Sequence, residues 1–230
     1  MSASDRSMLE REYSTSERLE RRRHSVTGWR RGEEAWSEAL AAVAGARPRS
    51  VLDAGCGDGL FARQIAAPTV VGVDASAAMV ERAHERGVDA RQARIEELPF
   101  AGGEFDVVVC NWVLYHLPDV EAGIREIARV LRPGGCFVGI YNRERHMEEL
   151  WSSLRPEAAG AGEYSEALGR HFARVEERDT TAFTLWETRE DLQSFLDAFV
   201  ELMGPLEAPE APYPFRVTRR NRVYVAEKAA

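Results

Sequence analysis

From Asp53 to Gly59 the chain reads Asp-Ala-Gly-Cys-Gly-Asp-Gly, with three glycines at alternate positions directly after the apolar pair Val51-Leu52. Glycines in such a turn let the backbone take angles closed to other residues, and they let a ligand approach without meeting a side chain. A helix expected to open near Leu60 would turn unpaired N–H groups toward that ligand, a setting that favours carboxylate or phosphate. The spacing is G-x-G-x-G, not the G-x-G-x-x-G of dinucleotide loops. Asp53 sits inside the strand just before the turn, where an acidic residue suits a positively charged ligand better than a pyrophosphate. Asp74 closes the next apolar run, Val70-Val71-Gly72-Val73, at a position from which a carboxylate can accept both hydroxyls of a ribose. That placement supports a nucleoside without choosing among nucleoside cofactors.

Further along, Tyr115-His116-Leu117-Pro118 follows the apolar segment 105–110 on the side where open α/β sheets place ligands. His116 has the titration range of a general base; as a packed residue it would instead shape the loop. His146 and His171 read as packing residues. The five histidines and three cysteines show no metal-ligand spacing, so no metal is expected.

The elements that must position these residues follow from periodicity. Short apolar runs at 51–54, 70–74, 88–94, 105–110 and 135–141 read as strands, the fourth apolar enough for the centre of a parallel sheet. Helical patterns lie between them. One is capped by Ser76 and ends at Gly87; another is capped by Asp119 and carries Val120, Ile124, Ile127, Ala128 and Leu131 on one face. Leu131-Arg132-Pro133-Gly134-Gly135 reads as the turn into the fifth strand. Strands alternating with helices mean a parallel sheet with right-handed crossovers. A helix over 146–154, a half-exposed strand over 172–183 and a helix over 189–203 capped by Thr188 come next. A connector with Pro205, Pro209, Pro212 and Pro214 then leads to a last strand over 216–227. Two late strands with no short crossover helix predict an antiparallel edge.

Residues 1–47 are rich in Arg and Glu and helical in pattern, with Trp36, Leu40 and Val43 at helical spacing. Arg18, Arg21 to Arg23, Arg30 and Arg31 read as a solvated helix face, or as a lid over the ligand. Arg216, Arg219, Arg220 and Arg222 read as protection for an edge strand. The expected organisation is an N-terminal helical cap (1–47), a core (48–142) and a C-terminal completion of the sheet (143–230), all within one globular domain.

The composition excludes several classes. With 230 residues, 44% apolar and 30% charged, the chain is too apolar to be disordered. A formal charge of −8 argues against an extended nucleic-acid footprint. No run approaches the roughly 18 apolar residues of a membrane span, and the N-terminus lacks the apolar stretch of a secretory signal. Cys56, Cys110 and Cys136 are far apart within apolar segments, as buried thiols of a reducing compartment would be. The cytoplasm is the expected location.

Five segments then occur in order: VLDAGCGDG (51–59), VGVDAS (71–76), ELPF (97–100), EFDVVVCNWVLYHL (104–117) and LRPGG (131–135). Together they resemble the class I S-adenosylmethionine-dependent methyltransferases, in particular the small-molecule branch similar to UbiE and the type 11 methyltransferases. The resemblance is dense over about 48–142 and loose at the ends. It implies an α/β, Rossmann-like, doubly wound sheet of seven mostly parallel strands with an antiparallel edge strand, helices on both faces and an N-terminal helical lid. It implies S-adenosylmethionine as cofactor and S-adenosylhomocysteine as product, with transfer of the methyl group to a small-molecule acceptor by in-line displacement. Gly55, Cys56 and Gly57 would lie against the methionine moiety with Asp53 close by. Asp74 would hold the ribose, Ala75 and Met79 would pack near the adenine, and Ile95 would offer its backbone N–H to the ring. Asn111 and Trp112 would line the space near the sulfonium, with Tyr13 of the lid packing there too. His116 or Tyr115 would take a proton from a hydroxyl or ammonium acceptor. One position departs from the pattern: the acidic residue that usually reads the adenine amino group is here Arg94, so Glu96 or a water takes that task, or packing holds the ring. The substrate regions would be 1–47, 143–172 and 184–215, with Trp29, Trp36, Trp151, Trp186, Phe195 and Phe199 available to line a pocket. The oligomer would be a monomer or homodimer. Other readings are a methyltransferase acting on RNA or another macromolecule, an NAD-binding oxidoreductase, and a non-catalytic cofactor-binding module.

Overall fold

The computed structural model of the chain describes residues 30–32, 34–154, 163–200 and 204–230. Its apolar runs pair into one eight-stranded sheet: β1 (Arg30–Gly32), β2 (Ser50–Ala54), β3 (Thr69–Asp74), β4 (Asp89–Gln92), β5 (Phe105–Val109), β6 (Leu131–Asn142), β7 (Arg174–Trp186) and β8 (Phe215–Glu227). The order across the sheet is β1-β7-β8-β6-β5-β2-β3-β4. β4, β3, β2, β5 and β6 run parallel, while β8 is antiparallel to both β6 and β7. The seven expected strands all form, and the three-residue β1 extends the antiparallel edge by pairing with β7. The strand order reverses between β2 and β5. In an open α/β sheet a ligand crevice opens beyond the carboxyl ends of the strands at that point.

Alternation along the strands sends apolar side chains to both faces. Leu52, Val73, Val108, Phe137 and Tyr141 meet Ile124 and Ile127 of α3 (Val120–Val130) on one face. Val51, Val107, Val109, Val138 and Ile140 meet Ala39, Ala42 and Val43 of α1 (Ala35–Gly45) on the other. The caps read from sequence are in place: Ser76 accepts from Met79 N–H to open α2 (Ala77–Glu85), and Asp119 accepts from Ala122 N–H. α4 (Glu148–Leu154), α5 (Ser165–Gly169) and α6 (Arg189–Asp197) follow, and α6 starts with a reciprocal Thr188–Asp191 capping box. Met147, Leu150, Trp151, Trp186 and Phe195 form a separate apolar cluster there.

Three expectations need correction. No helix follows the glycine turn, only a single 3-10 turn at Ala62–Gln64. Residues 60–68 are all that separate the turn from β3, and Pro68 closes the segment, so there is room for one turn and no more. α6 stops at Asp197, short of the expected 203. The 131–135 segment is not a free turn, because β6 begins at Leu131 directly after α3. Of the expected N-terminal cap, residues 1–29 lie outside the described residues.

The end of the sheet away from the crevice is tied by polar contacts. Asp106 Oδ2 accepts from the N–H groups of Arg49 (2.7 Å) and Ser50 (2.9 Å), and its other oxygen accepts from Arg132. The arginine and the two amides hold its carboxyl down to about 2. Lys228, the only lysine, donates to Ala128 O and Leu131 O (2.6 Å each), two carbonyls at the carboxyl end of α3.

Gly139 is where the strand core admits least change. A Cβ built there would stand 2.7 Å from Phe137 Cζ, 2.8 Å from Tyr141 Cε2 and 2.9 Å from Cys110 O. Overpacking of that kind costs about 1–3 kcal/mol. Gly139→Ala should lower the urea midpoint accordingly, while Gly45→Ala, with nothing within 4 Å, should leave it unchanged or slightly raised.

Candidate cofactor-binding site

The turn after β2 is built by left-handed glycines: Gly55 at φ 79°, Gly57 at 53° and Gly59 at 75°. At Gly55 a Cβ would lie 2.5 Å from a Val113 methyl, so the chain leaving β5 rests directly on the turn. The amides of the turn point inward. Gly55 and Cys56 N–H both donate to Val73 O (2.7 and 2.9 Å), Gly59 N–H donates to Cys56 O (3.0 Å), and Gly57 N–H donates to Asp74 Oδ2 (2.9 Å). With these four donors already engaged and no helix behind them, the turn is not the anion cradle that a helix at Leu60 would have made. It supplies close approach and a carboxylate at each side.

Those carboxylates define the electrostatics. Asp53 is 2% exposed; it accepts from the Ala62 amide, and its Oδ2 has no hydrogen-bond partner. Burial, with Asp74 as a like charge beside it, pushes the Asp53 carboxyl up to about 7. Asp74, at the end of β3, is also raised by burial, but the amides of Ser76, Gly57 and Ala75 oppose the shift. Asp58 differs: fully buried, it pairs with Arg86 at 3.0 Å and anchors the turn to the end of α2. Asp53 and Asp74 have no such cation among the described residues.

Asn111, just past β5, lies on the same sheet face as Asp53, since Asp53 pairs with Val109. Its Oδ1 accepts from Ile140 N–H (3.0 Å), which fixes the amide orientation, because an NH₂ group cannot face an N–H donor. Asn111 Nδ2 is therefore directed away from β6, buried and without a partner. Trp112 is left-handed at φ 55°, held by its N–H to Ile140 O (2.8 Å) and its Nε1–H to Asn142 Oδ1 (3.2 Å). Its indole stacks on Trp36 (6.3 Å, 28°), which meets Phe61 edge-on at 4.9 Å. Non-glycine residues in this region of φ persist where surrounding contacts over-determine them, commonly at functional sites.

The structure thus brings Asp53, Gly55, Gly57, Asp74, Asn111 and Trp112 to one end of the sheet, at β2, β3 and β5. Cys56 contributes backbone only, since its Sγ packs under the turn against Gly72. Ala75 is exposed beside Asp74, whereas Met79 is 1% exposed and supports the site from below. Ile95 is buried after β4, and Glu96 is engaged with Arg94 at 2.9 Å, so the arginine that replaces the usual acid is itself neutralised by the expected substitute. Tyr115 (43% exposed) and the half-buried His116 sit on a 3-10 turn after β5, their rings 4.3 Å apart. His146 instead bonds Arg220 O, and burial holds it down to about 4; His171 bonds Glu121. Tyr13 and Trp29 lie outside the described residues. Sequence reading missed Asn142, whose oxygen serves both Trp112 and Asn221 Nδ2 (2.9 Å). Its place at the carboxyl end of a parallel strand was the available signal. A separate recess of about 490 Å³ opens between α1 and β7. Its charged side chains are paired: Glu38 with Arg178 at 2.9 Å, Glu34 with Arg219 at 3.0 Å and Asp179 with Arg222 at 2.7 Å.

Comparison with known proteins agrees with this geometry. Residues 52–139 match the methyltransferase domain family. Over 107 residues the chain is 40% identical to a ubiquinone biosynthesis O-methyltransferase of Marinobacter nauticus, covering 41% of this chain and 45% of the relative. Over 100 residues it is 35% identical to a malonyl-[acyl-carrier protein] O-methyltransferase of Legionella pneumophila, covering 40% and 35%. The chain thus spans less than half the length of these curated relatives. The N-methyltransferase NodS of Bradyrhizobium japonicum, solved with S-adenosyl-L-homocysteine, shares the fold at 17% identity with a TM-score of 0.58, covering 85% of this chain and 86% of that one. The parallel core, the glycine turn and its flanking carboxylates thus lie within the segment, residues 52–139, that is similar to the methyltransferase domain family.

Proposed function

We propose that this protein transfers a methyl group from S-adenosylmethionine to a small-molecule acceptor. The observation that carries the reading is the polarity of the turn after β2: the amides of Gly55, Cys56, Gly57 and Gly59 are engaged within the protein, and Asp53 and Asp74 beside it have no cation among the described residues. A pyrophosphate needs free donors and positive charge, so a dinucleotide suits this end of the sheet poorly. A ligand with an ammonium group, a second polar end and a ribose suits it well. Asp53 offers an unpartnered acceptor and Asn111 an unpartnered donor on one face of adjacent strands, complementary to the two charged ends of an amino acid. Asp74 keeps lone pairs beyond its bonds to Gly57 and Ser76, and these serve the ribose hydroxyls.

When bound, the cofactor supplies an electrophilic methyl carbon on a sulfonium. The protein's part is to hold, align and shield. Gly55, Cys56 and Gly57 give close backbone approach. Ala75 borders the adenine position with Met79 beneath, and Ile95 N–H addresses the ring, with Glu96 confined by Arg94. Trp112, fixed by Asn142 and backed by Trp36, walls the methyl-donor end, with Tyr13 as its counterpart in the lid. His116, with Tyr115 beside it, takes the acceptor's proton where the acceptor is a hydroxyl or an ammonium.

The small-molecule assignment draws on the relative named a ubiquinone biosynthesis O-methyltransferase and on the net charge of −8, which disfavours a phosphate backbone as partner. No described helix is long and apolar enough to cross a membrane. We place the protein in the cytoplasm as a monomer or homodimer.

Thermal unfolding tests the cofactor. At about 100 times its dissociation constant a ligand adds roughly 2.7 kcal/mol to native stability. S-adenosylmethionine and S-adenosylhomocysteine should raise Tm by several degrees and NAD should not. Asp74→Ala should abolish the ligand-induced increment; a rise with NAD alone would sink the reading. The proton acceptor is tested with an acceptor found by screening hydroxyl and amine compounds against methyl-labelled cofactor. His116→Ala should lower kcat about 100-fold with cofactor Kd unchanged, and Tyr115→Phe should lower it less.

A further inference from the structure

Asp53 is a carboxyl group built into a place where its charge is opposed. It is 2% exposed, its Oδ2 has no hydrogen-bond partner, and a single amide, that of Ala62, addresses it. The titratable groups around it make matters worse for an anion. Asp74 faces it from β3, Cys56 from the turn and Cys110 from β5, while Asp58 adds negative charge around Cys56 and Asp74. Burial pushes Cys110 up to about 12 and Cys56 higher still, so neither thiol ionises to share the titration. Arg86, the guanidinium that reaches the turn, is paired with Asp58. Asp74 takes three backbone amides and is thereby the better anion of the pair.

We propose that the ligand-free protein keeps Asp53 as the neutral acid, and that entry of the positively charged cofactor ionises it, releasing one proton to solvent and coupling cofactor binding to pH. This rests on the cofactor reading above and adds a linked proton to it. The balance is simple: the Asp53 O–H bond breaks, the proton goes to buffer, and the positive charge of S-adenosylmethionine replaces it, so the net charge of the buried site is unchanged on binding. The sign follows. Burial and Asp74 raise the Asp53 carboxyl to about 7 in the ligand-free protein, so below that pH the ligand must expel a proton before it pairs. Affinity therefore falls as pH falls, by about tenfold per pH unit, and levels off above pH 7.

The test is isothermal titration calorimetry of the full chain at pH 6 and pH 8, in two buffers of different ionisation enthalpy. The ligands are S-adenosylmethionine, S-adenosylhomocysteine and 5′-methylthioadenosine, which keeps the adenosine and sulfur but lacks the amino-acid group. The expected result is close to one proton released at pH 6 with the two charged ligands and close to none at pH 8. No release is expected with methylthioadenosine, nor with any ligand in Asp53→Asn. Release with S-adenosylmethionine alone would still support the coupling, with the sulfonium as the responsible charge. Binding with no released proton at pH 6 would overturn the proposal while leaving the cofactor reading intact, and so would undiminished release in Asp53→Asn. No binding by either adenosyl amino acid would overturn both. Should Asp53→Asn fail to fold, the wild-type Kd for S-adenosylmethionine between pH 5 and 6 decides: near-unit slope in log Kd against pH supports the coupling, and a flat profile overturns it.

Discussion

The constraint on which the rest of the molecule turns is that the amides of Gly55, Cys56, Gly57 and Gly59 are satisfied from within. Val73 O takes two of them, Asp74 takes Gly57 N–H, and Cys56 O closes the turn on itself. Left-handed φ at three alternate positions makes that inward arrangement possible, which is why each is glycine. Because Asp74 ends β3 and the turn ends β2, their bond welds the carboxyl ends of two parallel strands. Val113 resting on Gly55 adds the third strand. Geometry at the crevice is thus fixed by backbone, and side-chain chemistry is left to the few residues that project past it.

Charge is distributed to match. At the far end Asp106 is surrounded by donors and is a settled anion, and Asp58 is neutralised by Arg86. At the crevice the buried carboxylates Asp53 and Asp74 have no ion-pair partner among the described residues. Buried polar groups are ordinarily satisfied, so an unpartnered Asp53 oxygen and an unpartnered Asn111 amide at one strand end mark a place completed by something else.

Much of this was legible in the sequence, for physical reasons. Val51-Leu52 and Val107-Val108-Val109 have no polar alternation because both faces of those strands are covered, and that signature survives without coordinates. Ser76 and Asp119 announce helix starts because a cap is a local interaction. The helix after the turn was misread because its existence depends on how soon β3 must begin, a tertiary requirement that a glycine motif does not encode. The edge strand β1 escaped notice since three residues carry no periodicity and their pairing with β7 spans the whole chain. At the site, Asp53, Asp74 and the glycines were readable from their places at strand ends. Asn142 shares that placement, but its partners Trp112 and Asn221 are distant in sequence and only the fold brings them to it. Cys56 and Met79 were read as cofactor neighbours, and their side chains turn inward for reasons that only packing reveals.

One small feature reaches further than its place in the fold. Of 30 basic residues only Lys228 is a lysine, and its ammonium is occupied by the carbonyls of Ala128 and Leu131. Every other positive side chain is a guanidinium, which keeps its proton at any physiological pH and does not react with acyl donors. The protein's cationic surface is therefore closed to acetylation, ubiquitin attachment and amine-directed crosslinking at side chains.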